Sequence, residues 1–157
     1  VVESRGEYIA FVDADDLWYR EKLEKQICYL ETHQAFELCI THIENFWSEE
    51  VPMDQRPDTG RPNSIPGFSF STLVGSRTGI ELVGPLNEHL KHADDTEWFL
   101  RARENGIAVG VLSEILVRRR LHLSNESRVK AGQSGNEYLD LIHKTIHPMQ
   151  GSTSNSS

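Results

Sequence analysis

Several things are scarce in this sequence, and each scarcity narrows the reading. Cysteine occurs twice, as Cys28 and Cys39, with no CxxC spacing. That pattern reads as reduced, buried thiols of a cytosolic protein rather than a disulfide framework, although one bridge between them stays open. No apolar run approaches the roughly 18 residues of a membrane span, and no stretch reads as a secretory signal, so a cytoplasmic location is expected. Basic residues number 16 against 24 acidic ones, a net charge of −8, which argues against a general nucleic-acid binder. No internal repeat is present. At 157 residues the chain suits one domain. A chain of this length buries roughly 70% of its unfolded surface, so a core needs no disulfide or metal. The first residue is Val1, close to a strand, and the true N-terminus is expected upstream.

The charge is segregated. Residues 1–50 hold twelve acidic and four basic side chains, and residues 101–130 hold seven basic and three acidic ones. Such a split suits a site that grips a cation on one side and an anion on the other, or simply two solvated faces. Apolar residues from Tyr8 to Val12 predict a buried strand ending at Asp13. Leu23, Ile27 and Leu30 fall on one face of a helix predicted over 17–33. Residues 36–46 predict a strand or strand pair, and 48–67 a long loop of the kind that is usually functional or mobile. Residues 68–74 predict a strand, and 77–83 a helix stopped by Gly84-Pro85. Asp94 to Glu97 fits a capping box that opens a helix running to Asn105, with Gly106 ending it. Residues 107–112 and 115–118 read as strand. Ser134 to Glu137 is a second capping box, for a helix to His147, and 148–157 read as a disordered tail. Alternating strands and helices predict an α/β fold and a single domain over 1–147.

The stretch FVDADDLW drives a hydrophobic strand into three carboxylates, Asp13, Asp15 and Asp16. In extended chain Asp13 and Asp15 point the same way, and convergent carboxylates repel unless a cation lies between them. Mg²⁺ or Mn²⁺ suits this role, because such ions need only one or two carboxylates and share their shell with substrate phosphates. Asp16 is placed to cap the following helix. All three could instead be caps and turn formers. An EF-hand is excluded, since its glycine and twelfth-position glutamate are missing. His89 and His92 lie beside Asp94, but no further ligands with zinc spacing accompany them.

The segment GEYIAFVDADDLWYREKLEKQ resembles the middle of family 2 glycosyltransferases with the GT-A fold. The resemblance implies that Asp13-Ala14-Asp15 is a DXD motif, with Asp15 the chief metal ligand and Asp13 facing the metal or the ribose. The segment VGPLNEHLKHADDTEWFLRARENG extends the likeness. Asp95 takes the place of the catalytic base. Asp94 stands where Glu is more usual and is assigned to substrate binding, although helix N-terminal charge explains it equally. Trp98 either lines a sugar pocket or belongs to the core. Farther on, Arg120-Leu-His122-Leu-Ser-Asn125-Glu-Ser127 matches an R-x-H-x-x-N-x-S pattern. By that likeness Arg120 would bind the diphosphate, and His122 would be a further metal ligand or a diphosphate donor.

The likeness covers about residues 5–130 and lacks the family's nucleotide-binding βα units at the start. The expected architecture is therefore a partial GT-A, Rossmann-like sheet flanked by helices. The expected function, for a chain read as an incomplete fragment that binds donor poorly by itself, is metal-dependent, inverting transfer of a sugar from a nucleotide-diphosphate sugar to a hydroxyl on a sugar, lipid or peptide acceptor. The cofactor would be Mn²⁺ or Mg²⁺, with no nucleic-acid partner, and homo-oligomerisation is left open. A noncatalytic binding or assembly module on a truncated transferase fold is the alternative. A metal-dependent phosphohydrolase or nucleotidyltransferase would use the same acidic knot but not the other two segments.

Overall fold

The computed structural model describes residues 3–56, 64–90 and 94–122. The helix predicted over 134–147, the tail, Asn125 and Ser127 lie outside them. Six strands form one mixed sheet: β1 (Tyr8–Ala10), β2 (Leu17–Trp18), β3 (Leu38–Trp47), β4 (Ser64–Pro66), β5 (Val74–Ser76) and β6 (Val109–Leu121). Their order is β1-β5-β3-β6-β2, with β4 sharing the β5 edge of β3. Three helices accompany them: α1 (Lys22–Thr32), α2 (Arg77–Val83) and α3 (Asp94–Glu104). The expected α/β class, a sheet flanked by helices, is what the chain forms. The long parallel β3–β6 pair is its spine, and the other pairings are antiparallel. The two strands read over 107–118 are one, interrupted by bulges where β6 carries extra residues opposite Thr41 to Ile43.

Alternation sorts β1 and β3 between two faces. Ile9, Leu38 and Ile40 turn toward α2 and α3, where Leu73, Ile80, Trp98 and Phe99 complete an apolar core. Cys39 and Val74 turn toward α1, where they meet Leu30. Cys28 and Cys39 are both free thiols.

The α2 prediction agrees residue for residue, and its start is explained by Ser76, whose hydroxyl accepts from the Gly79 N–H at 2.9 Å. Gly84 and Gly106 end α2 and α3 at φ +88° and +73°, values that suit glycine. Two other expectations need correcting. The helix read over 17–33 begins only at Lys22, because Leu17 and Trp18 pair with Arg118 and Val117 in the sheet. Its buried face is Lys22, Gln26 and Leu30, while Leu23 is 40% exposed. The segment read as a strand over 68–74 is a 3₁₀ turn, Phe70–Thr72, followed by β5.

Candidate active site

The acidic stretch leaves β1 as a tight turn. The Asp16 N–H donates to the Asp13 carbonyl at 3.1 Å, so Asp13 and Asp15 are not the strand neighbours their spacing predicts. Ser71 fastens this turn. Its hydroxyl accepts from the Asp13 N–H at 3.0 Å, and its carbonyl accepts from the Trp18 indole at 2.9 Å. Ser71 is fully buried, and nothing in its sequence context marks it out.

Asp15 turns toward the far end of β6. Its Oδ2 lies 3.2 Å from His122 Nε2, and its carbonyl accepts from Arg120 Nε at 3.3 Å. Three residues singled out from distant motifs thus meet. Asp16 is not a helix cap, since α1 starts six residues later with Glu21 in the capping position. Asp16 is half-buried, and burial holds its carboxyl above the usual carboxylate range. A hydrogen bond from Ser71 partly opposes that rise, and the neighbouring Asp13 and Asp15 add to it.

Asp94 and Asp95 open α3. Asp95 Oδ1 accepts from the Thr96 N–H at 2.7 Å. Burial raises its carboxyl, the Thr96 amide lowers it, Asp94 raises it and Arg119 lowers it. The capping-box reading is off by one: Asp94 is the first helical residue, and the Glu97 carboxylate instead accepts from Arg101 at 3.1 Å. A cleft of about 230 Å³ has Asp13, Asp16, Asp94, Asp95 and Arg119 in its wall. The two acidic segments, some eighty positions apart in sequence, therefore share one cavity.

Trp98 is corrected as a sugar-stacking residue. It is 2% exposed, packs edge-on against Phe70 and Phe99 at 5.3 and 5.4 Å, and donates its indole N–H to the Gly84 carbonyl at 2.9 Å. No ring face is left for a ligand. Arg119 and Asp16 are cleft residues that the motif reading passed over. Strand alternation held the signal for Arg119, because a run of three arginines in β6 must send the middle one to the other side.

Among the described residues no group of three or more His, Cys, Asp or Glu side chains is spaced to hold a metal ion. The nearest approach to a donor set is the Asp15–His122 pair. No helix among the described residues is long and apolar enough to cross a membrane.

Comparison with known proteins gives two curated relatives and a family. The chain is 26% identical over 147 residues to UDP-Glc:alpha-D-GlcNAc-diphosphoundecaprenol beta-1,3-glucosyltransferase WfaP of Escherichia coli, covering 90% of this chain and 54% of that protein. It is 22% identical over 127 residues to Uncharacterized glycosyltransferase MJ1057 of Methanocaldococcus jannaschii, covering 75% of this chain and 43% of that protein. The chain thus spans about half the length of these curated relatives. The sequence model of Glycosyl transferase family 2 matches residues 2–81, half of the chain and all of the acidic turn with its Ser71 clamp. The protein belongs to glycosyl transferase family 2.

Proposed function

We propose that this chain carries the reaction centre of an inverting glycosyltransferase, acting in the cytoplasm on a nucleotide-diphosphate sugar and an acceptor hydroxyl. One observation carries the reading: a single cleft draws Asp13 and Asp16 from the first acidic segment together with Asp94 and Asp95 from a second one in the middle of the chain. Glycosyl transfer needs that division. One acidic segment would hold a divalent ion against the leaving diphosphate, and another takes the proton of the attacking hydroxyl.

Asp95 is the proposed base. Its half-buried carboxylate is held by the Thr96 amide, and its raised pKa makes it a better proton acceptor than an exposed aspartate. As the acceptor oxygen bonds to the anomeric carbon, its proton passes to Asp95 and the bond from that carbon to the diphosphate breaks. Asp94 and Arg119 line the same wall and would orient the sugar hydroxyls.

The residues present fit a shared divalent ion. Mn²⁺ or Mg²⁺ takes few protein ligands when phosphate oxygens fill the rest of its shell, and Asp15 and His122, 3.2 Å apart, offer an oxygen and a nitrogen. Asp15 and His122 would hold it, with Asp13 at the cleft wall. When bound, the ion would neutralise charge on the departing diphosphate. Arg120, anchored on the Asp15 carbonyl, would add guanidinium contacts to the phosphates.

Transfer from a panel of nucleotide-diphosphate sugars, with Mn²⁺ present, tests the reading. Asp95→Asn is expected to lower turnover by about 10²–10⁴-fold while donor affinity holds. Loss of donor binding in that variant would remove Asp95 from the role of base. Asp15→Asn is expected to abolish the Mn²⁺ dependence of donor binding seen by calorimetry. Undiminished Mn²⁺ dependence would defeat the metal assignment.

A further inference from the structure

Beyond the acidic cleft, the ends of β3 and β6 enclose a second cavity, of about 670 Å³. This lies inside the roughly 300–1,000 Å³ range of small-ligand sites. Phe46, Trp47, Glu49, Glu50, Arg56 and Arg120 contribute to its wall, together with Arg118. It is built separately from the cleft: Arg119 faces the acidic cleft, while Arg118 and Arg120, its neighbours along β6, serve this one. Arg120 joins the two regions, because the same side chain reaches the Asp15 carbonyl.

The charges in this wall decide what it can hold. Arg118 and Arg120 lie over the Phe46 ring at 4.6 and 5.2 Å. Arg118 is paired with Glu44 at 2.9 Å, and Arg56 donates to the Val51 carbonyl at 2.9 Å. Glu49 and Glu50 stand among the three arginines. An anion such as a diphosphate would meet two carboxylates there and gain little. A pyranose is matched instead: its hydroxyls both donate and accept, so they need carboxylates and guanidiniums side by side. Its C–H face packs on an aromatic ring, and the half-buried Trp47 lines the cavity.

We propose that this cavity is the subsite for a pyranose unit of the acceptor glycan. The assignment rests on the transfer reading above. Its test is binding, with no donor present. A panel of methyl pyranosides and the disaccharides cellobiose, lactose and maltose is titrated into the chain by calorimetry, with saturation-transfer NMR as a second readout. At least one member is expected to bind. Trp47→Ala should weaken that sugar about 10-fold, and Trp47→Phe by less than about 3-fold. The double variant Glu49→Gln/Glu50→Gln alters only exposed side chains, so the fold is spared, and it should weaken binding about 5-fold. Absence of binding across the panel, or wild-type affinity in both Trp47→Ala and the double variant, would each overturn the assignment. Transfer without sugar binding at this cavity would overturn the subsite alone, whereas binding without transfer would remove its acceptor role together with the transfer reading.

Discussion

Under α2 and α3 the sheet meets Phe70, Trp98 and Phe99 around Leu38 and Ile40, with Trp98 edge-on to both phenylalanines. Under α1, the same sheet meets Lys22 and Gln26, two polar side chains at 1% and 0% exposure. The difference teaches how each layer is held. The apolar side gains from area removed from water. The α1 side adds directed bonds to a smaller apolar cluster around Leu30: Gln26 Nε2 donates to the Cys39 carbonyl at 2.8 Å and to the Thr72 carbonyl at 2.9 Å. That ties α1 to β3 and to the 3₁₀ turn whose Ser71 fastens the acidic loop. Among the described residues the Lys22 amine has no hydrogen-bond partner, and it lies 4.1 Å from the centre of the Trp18 ring, which gives cation–π support in place of water.

The largest effect that would sharpen this contrast is Trp98→Ala. It empties the centre of the aromatic core and should cost about 3–5 kcal/mol in urea denaturation. A loss below about 1 kcal/mol would show that the apolar side is not the stabilising one. Gln26→Leu comes next, at about 2–3 kcal/mol, since it strands two buried carbonyls despite being more apolar. A neutral or stabilising outcome would break the claim that directed bonds help to hold α1.

Lys22→Met runs the other way. Burial lowers the Lys22 amine to a pKa of about 7, from 10.5 in the unfolded chain. Between those values the unfolded state holds a proton that the folded state lacks, so stability rises with pH from about 7 to about 10.5 and is flat below. The Met variant should lose that slope and gain on the order of 2 kcal/mol at neutral pH. An unchanged slope would show that another group causes it.

The smallest effect belongs to the cleft. Asp16 and Asp95 have raised pKa values, so each costs stability as pH climbs from the unfolded carboxylate pKa through the folded one. Asp16→Asn and Asp95→Asn should each raise Tm by about 2–4 °C at pH 7, with less gain toward pH 4. A gain as large at pH 4 as at pH 7 would separate it from ionisation.

What the sequence settled by itself was local. The stop of α2 at Gly84 and the end of α3 at Gly106 are written in nearest-neighbour chemistry, and so is β1, although it stops at Ala10 and not at Asp13. A glycine after a helix or an apolar run before a charge acts within a few residues. Tertiary structure alone decided which helix face is buried, because Leu23 looks apolar while Gln26 finds two carbonyls from distant segments. It alone made Asp16 a cleft residue rather than a cap, through a turn fastened by Ser71. It also withdrew Trp98 from the site into the core. Those outcomes depend on partners dozens of positions away, and no local pattern carries the distance between them.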